Sequence, residues 1–282
     1  MNLGSFISIK VKKFSLTSKF FLSNIFSKST VIGEKTNPVV SLTTYGPRAK
    51  SVFITLESIA SGKARPSRLI LWVDEDEFYD NPPRSIKRLI KRGLEVRKCV
   101  NYGPHKKYYP YSLSQEQHKV SMVTADDDIM YPDYWLQKLI VQETKSPNQI
   151  IGYRTRYIPT DSAGEVLPYN SWKLNDSTEA SFNVFPTGTS GVLYPGPFLE
   201  ILKNSGDGSI TEYSKVDDIW LHKIALENNF RPRQAFPLAE NYPTIFMSQR
   251  VALFRTNVVN NNNDKLINGE YGDLLNKMIG SN

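Results

Sequence analysis

The chain has 282 residues, 40% of them hydrophobic, enough for one large domain or two small ones with a proper core. Its single cysteine, Cys99, excludes an internal disulfide framework and fits a reducing compartment, and no Cys/His cluster has zinc-ligand spacing. The net charge of +7 is concentrated in residues 1–36, where Lys10, Lys12, Lys13, Lys19, Lys28 and Lys35 face only Glu34, so the nearly neutral remainder offers no basic face for nucleic acid.

That basic leader interleaves lysine and serine with Phe6, Ile7, Ile9, Phe14, Phe20, Phe21, Leu22, Ile25 and Phe26. No apolar run approaches the roughly 18 residues needed to span a bilayer, and an unbroken signal-peptide core is lacking. Three readings stay open: a segment lying in the interface of an anionic membrane, a disordered tail, or a helix packed on the body.

After Pro38, the run Val39-Val40-Ser41-Leu42-Thr43-Thr44 predicts a buried strand ending in the turn Tyr45-Gly46-Pro47-Arg48. Val52, Phe53, Leu56, Ile59 and Ala60 form a helical stripe closed by Gly62, and Leu69-Ile70-Leu71-Trp72-Val73 is a second strand, which completes a βαβ unit. Pro82-Pro83 opens a helix with Ile86, Leu89 and Ile90, and Gly93 stops it before the strand Leu94-Glu95-Val96. Strand–helix alternation with near-continuous apolar strands predicts an α/β fold with a mostly parallel sheet flanked by helices. Ligands of such sheets bind beyond the carboxyl ends of the strands.

The loop Asn101-Tyr102-Gly103-Pro104-His105-Lys106-Lys107-Tyr108-Tyr109-Pro110 follows; its lysines suit a phosphate partner or a solvated basic loop. Next, the apolar Val120-Ser121-Met122-Val123 ends in Asp126, Asp127 and Asp128, before Pro132 opens a helix with Trp135, Leu136, Leu139 and Ile140. Adjacent carboxylates at the end of a buried strand repel one another, and a bound cation relieves that; the alternative is a solvated acidic turn. In extended backbone Asp126 and Asp128 share one side.

Ile150–Arg154 reads as another strand, residues 155–182 lose clear periodicity, and Phe185-Pro186-Thr187-Gly188-Thr189-Ser190-Gly191 leads through small residues into a strand. In Ser214-Lys215-Val216-Asp217-Asp218-Ile219-Trp220-Leu221-His222, Ser214 and Asp217 have capping-box spacing, which leaves Asp218 without a structural duty. Asp218 and His222, at i and i+4, act at a common site or pair with each other. Arg231–Gln234 precedes an edge segment, and a weakly helical tail with Leu274, Leu275 and Met278 closes the chain.

Five of these blocks, in order, resemble bacterial GT-A-type glycosyltransferases of surface polysaccharide synthesis over roughly residues 37–258. They are the first strand with its Tyr45–Arg48 turn, His105–Tyr108, Val123–Asp128, Phe185–Gly191 and Asp217–Trp220. On that resemblance residues 37–258 form a single GT-A-like (Rossmann-like) glycosyltransferase domain, which leaves residues 1–36 as the basic leader, with a membrane-interface segment among its open readings, and residues 259–282 as a tail. It implies a nucleotide-sugar donor, usually UDP-linked, with Mn²⁺ or Mg²⁺ bridging the diphosphate to the acidic motif. Thr43, Tyr45 and Arg48 would lie near the nucleotide and Lys106 or Lys107 near the diphosphate. Asp126 would contact the ribose or donor sugar, with Asp127 also on the donor side, and Asp128 would hold the metal, with Asp126 and His222 as further ligand candidates. Asp218 is the first choice for an inverting enzyme's general base and Asp217 the second. The family often has Pro where Gly46 stands, and Asn257 with Asn263-Asp264 matches its C-terminal pattern only loosely.

The chemistry is consistent with the residues themselves. A sugar hydroxyl needs a carboxylate to take its proton, and a departing diphosphate needs a cation to offset its charge. The resulting expectation is a metal-dependent glycosyltransferase acting on a growing glycan or glycolipid at the cytoplasmic membrane face. Two alternatives are a sugar-phosphate nucleotidyltransferase, disfavoured because no Gly-rich phosphate loop follows the first strand, and a cation-dependent carbohydrate-binding protein whose tyrosines stack on sugars.

Overall fold

A computed structural model describes residues 3–206, 210, 213–214, 216–245, 262–267 and 269–280. The strands are β1 (Val39–Thr43), β2 (Leu69–Val73), β3 (Leu94–Lys98), β4 (Met122–Thr124), β5 (Ile151–Gly152), β6 (Thr155–Tyr157), β7 (Lys173–Leu174), β8 (Val184–Pro186), β9 (Val192–Tyr194) and β10 (Arg233–Gln234). Seven of them form one sheet in the order β10-β5-β9-β4-β1-β2-β3. Every neighbouring pair is parallel except those made by β9, which runs antiparallel to β4 and β5. This is the mostly parallel α/β architecture that the strand–helix alternation predicts.

The apolar runs are continuous because both faces of the sheet are buried. Leu69, Leu71 and Val73 point to one core with Val40 and Leu42, while Ile70 and Trp72 point to the other with Val39. The first core is closed by α2 (Val52–Ala60), the short α3 (Asp76–Asp80) through Phe78, α4 (Arg84–Ile90) and α6 (Trp135–Lys145). The second is closed by α5 (Tyr109–Leu113), α7 (Gly196–Asn204), α8 (Asp217–Glu227) and, near the C-terminus, the helix Glu270–Gly280 with Tyr271 and Leu275. Between β5 and β6 the chain leaves the large sheet, and β7-β6-β8 form a small antiparallel sheet beside it. Residues 155–182 hide this from a periodicity reading because their strands are only two or three residues long.

The leader is a helix, α1 (Leu3–Phe26), that packs on α2 and α4. Phe20 is buried with Ile54, Met130 and Ile245. The polar anchor is Glu57 of α2, fully buried, which accepts from Ser23 Oγ at 3.0 Å and Asn24 Nδ2 at 2.9 Å and pairs with Arg92 at 2.6 Å. A carboxylate so deep is tolerable only because these donors satisfy it. Among the described residues no helix is long and apolar enough to cross a membrane.

Candidate active site

The carboxyl ends of β1, β2 and β4, the turn between β8 and β9, and the start of α8 enclose one cavity of about 840 Å³. β1 and β4 are neighbours, so the Thr43–Arg48 turn and the acidic triplet rise side by side from strands about 4.8 Å apart. The triplet begins where β4 ends: Ala125 N still donates to Ser41 O in the ladder, and the chain then turns through Asp127 and Asp128.

The three carboxylates have different surroundings. Asp127 is buried and uses both oxygens internally, accepting from Thr44 Oγ1 at 2.7 Å and from Arg48 at 2.9 Å. Arg48 also reaches Asp128 at 3.4 Å. Burial works against the Arg48 charge, but Asp127 and Asp128 outweigh it and hold the guanidinium above its ordinary pKa. Asp127 therefore positions Arg48 and the first turn. Asp126 is half-buried on the cavity wall, with its backbone N–H donating to Tyr131 Oη at 2.9 Å. Burial chiefly, with Asp128 and Asp127 adding repulsion, pushes its carboxyl up to about 7 in spite of Lys107.

Lys106 and Lys107 come from the one-turn 3₁₀ segment Gly103–Lys107, and both are buried. Lys106 is ion-paired with Asp74 at the end of β2. Lys107 Nζ lies 2.8 Å from Asp217 Oδ2. Burial disfavours its charge, but Asp217, Asp126 and Asp218 together hold the ammonium above its usual value. In return Lys107 keeps Asp217 below the ordinary carboxylate range against the burial that would raise it.

Asp218 is half-buried on the cavity wall and accepts the Gly188 N–H at 3.0 Å. Burial first, and the Asp217 charge second, raise its carboxyl to about 7. Gly188 is needed for this approach, because a Cβ there would stand 2.7 Å from Lys107 Nζ and 2.9 Å from Asp218 Oδ1. Gly191 has a separate reason: its φ is +103° and a Cβ would strike the Trp135 ring at 2.8 Å.

The cavity thus gathers Thr43, Tyr45, Arg48, Lys106, Lys107, Asp126, Asp127, Asp128, Asp217 and Asp218. His222 is not brought there. It is buried one turn along α8, with Nδ1 2.7 Å from Tyr271 Oη and its ring against Phe185, whose own side chain lines the cavity. Burial depresses its pKa to about 3, so it is a neutral histidine of the core, and it does not line the cavity with Asp126 and Asp128, where a ligand to a shared metal would have to stand. The capping box is absent too: Val216 caps α8 without a side-chain bond, and Asp217 faces Lys107 instead of Ser214. Asn257 lies outside the described residues, whereas Asp264 accepts the N–H of Tyr169 at 2.9 Å and so ties the tail to the cavity wall.

Sequence reasoning missed Asp74, Glu75, Arg154 and Tyr169. Glu75 accepts the Gly46 N–H at 2.8 Å and shapes the first turn. The strand-end rule applied to β2 finds both acids. Arg154 and Tyr169 sit in the stretch where periodicity fades, and Arg154 donates to Thr187 Oγ1 at 3.0 Å on the β5 side of the cavity.

No protein-family model matches the chain, and a comparison with curated proteins returns no match. Among solved structures, the chain is similar to the mannosyltransferase PcManGT from Pyrobaculum calidifontis in complex with GDP-Man and Mn²⁺. The TM-score is 0.51 at 11% identity, over 98% of this chain and 79% of that one. At such identity the likeness is one of fold, and the fold is GT-A-like. S. aureus TarS 1–349 in complex with UDP aligns at TM-score 0.48 and 16% identity over 73% of this chain, which spans 59% of that fragment. A CMP:2-keto-3-deoxy-manno-octonic acid synthetase with CTP aligns at 0.46 and 10% identity, over 80% of this chain and 99% of that one. These two scores are too low to carry further argument.

Proposed function

We propose that the chain is a metal-dependent glycosyltransferase that moves a sugar from a nucleoside-diphosphate donor, UDP-linked in the first instance, to a hydroxyl of a surface glycan or glycolipid, with inversion. The observation that carries this is the meeting of two acidic centres, Asp126–Asp128 and Asp217–Asp218, in one cavity. Among the described residues four cations line that cavity (Arg48, Lys106, Lys107 and Arg154) against seven carboxyls, and burial first, with the neighbouring carboxylates second, raises both Asp126 and Asp218 to about 7. An anionic diphosphate entering so acidic a cleft needs a divalent cation with it.

The donor set fits such an ion. Among the described residues no three acidic, His or Cys groups converge into a closed metal cage. Mg²⁺ and Mn²⁺ in phosphate-transferring sites are held by one or two carboxylates and completed by phosphate oxygens and water. Asp128 and Asp126 would supply those carboxylates, and the bound ion would offset the charge growing on the departing diphosphate.

The remaining work falls to side chains. Asp217 is closed by Lys107, whereas Asp218 keeps an open side to the cavity and a pKa near neutrality, which suits a general base. The acceptor oxygen attacks the sugar's anomeric carbon, its proton passes to Asp218, and the bond from that carbon to the diphosphate oxygen breaks. Tyr45 and Arg48 flank the nucleotide end over β1 and β2, and Arg154 and Tyr169 flank the acceptor end over β5 and the small sheet.

The test is a panel of nucleotide sugars with and without Mn²⁺, read as transfer to glycan acceptors. One donor should be consumed only with metal, and Asp128→Ala should abolish transfer. Undiminished transfer by that variant refutes the assignment, and pyrophosphate release from a sugar 1-phosphate and a nucleoside triphosphate would show a nucleotidyltransferase instead.

A further inference from the structure

Helix α1 holds the body through one face, formed by Lys13, Leu16, Thr17, Phe20, Ser23 and Asn24, with Phe21 meeting Phe53 of α2 at its edge. The opposite face is apolar and open. Val11, Phe14, Phe21, Leu22, Ile25 and Phe26 all project there, with Phe14 75% and Phe26 74% exposed. At 100° per residue these six fall within an arc of about 140°. Exposed Lys10, Lys12 and Lys19 stand at its margins, and the helix contains no acidic residue.

An apolar stripe of this size in water marks an interaction surface. Its charge selects the partner. A symmetric pair of chains meeting through this face would bring two sets of lysines together with no carboxylate on either helix to receive them. Lipid headgroups of negative charge accept the lysines while the acyl boundary takes the aromatic rings, the arrangement of an interfacial helix.

We infer that α1 is an in-plane anchor that lays Phe14, Leu22 and Phe26 into an anionic lipid surface, with its marginal lysines on the headgroups. The body is held close to that surface, because the same helix forms part of the cavity's support. Lys13 Nζ donates to Thr244 Oγ1 at 2.9 Å, and Thr244 lines the cavity. An acceptor carried on a lipid would then reach the site from the layer in which the helix rests. The anchor itself stands whether or not the chain transfers sugars.

The experiment is flotation of the full chain with vesicles of phosphatidylcholine alone or with about 30% phosphatidylglycerol. Wild type should float with the anionic vesicles only, and high salt should release it. Phe14→Ser/Leu22→Ser/Phe26→Ser should lower the partition at least ~10-fold. Lys10→Gln/Lys12→Gln/Lys19→Gln should lower it by ~10-fold or more as well. Both variants touch exposed positions and should keep the wild-type melting temperature, which separates lost docking from lost folding. Failure of wild type to float overturns the inference, as does flotation of the serine variant equal to wild type. A wild-type dimer that this variant splits, with no vesicle binding, shows that a second copy covers the face.

Discussion

Removing the Lys107 ammonium tests the electrostatics of the cavity floor. Lys107 Nζ is 2.8 Å from Asp217 Oδ2, and the two side chains are only 11% and 12% exposed. Lys107→Met keeps the length of the side chain but leaves Asp217 buried without its partner, which costs about 3–5 kcal/mol, a large share of a typical 5–15 kcal/mol. The pH dependence identifies the cause. In wild type Lys107 depresses Asp217, so its contribution is present above the unfolded carboxylate pKa and is lost as pH falls through the lower folded value. In the variant, burial alone raises Asp217, so the penalty exists above the unfolded pKa and disappears as the folded carboxyl takes up a proton. Urea unfolding in chelator should therefore show the full deficit near about pH 8 and a much smaller one near about pH 4.5. Lys107→Met/Asp217→Asn should regain most of the loss. A deficit below about 1 kcal/mol, a deficit independent of pH, or a double variant as unstable as the single one would each refute the pairing.

The other expectations concern the neighbours of that pair. Asp218→Asn should lower kcat by at least ~100-fold while leaving metal-dependent binding of nucleoside diphosphate unchanged in calorimetry. With Asp218 raised to about 7, its proposed role as the ionised base requires wild-type kcat/KM to rise with unit slope up to about pH 7 and then level, and a flat profile from pH 5 would exclude it. Gly188→Ala places a methyl 2.7 Å from Lys107 Nζ and 2.9 Å from Asp218 Oδ1, so kcat should fall severalfold with little change in melting temperature. Glu57→Ala strands Arg92, Asn24 and Ser23, and should cost about 3–5 kcal/mol and expose α1 to trypsin.

The sheet was legible because parallel strands buried on both faces leave continuous apolar runs, as in Leu69–Val73, and because glycines such as Gly62 and Gly93 mark where the helices stop. The two acidic centres were legible as sequence, since carboxylates at a strand end and at a helix start stand out from their surroundings. What the chain does not print is which neighbour each carboxylate meets. Asp126, Asp127 and Asp128 read alike, yet Thr44 and Arg48, some 80 residues earlier, single out Asp127. The spacing of Asp218 and His222 is right for a shared helix face, but Phe185 stands between His222 and the cavity. Arg154 and Tyr169 were hidden because short strands of mixed polarity carry no period.

Pairing explains why the triplet and the Asp217–Asp218 pair each contain one acid more than packing requires. Three of the cavity's cations are matched by a carboxylate at ion-pair distance: Arg48 with Asp127, Lys106 with Asp74, and Lys107 with Asp217. Those pairs fix the first turn, the lysine segment and the start of α8 relative to one another. Among the described residues Asp126 and Asp218 have no ion pair of their own, and they are the two cavity carboxyls raised to about 7. One stands in the triplet and one at the helix start, so each acidic centre contributes a fixed carboxylate that builds the wall and a second held near its ionisation point. A fold that only needed stability would have little use for the second of each, because burying it costs free energy that no ion pair of its own offsets among the described residues. On the proposed function, cation capture beside Asp126 and proton capture at Asp218 would be the two processes that put those carboxyls to use.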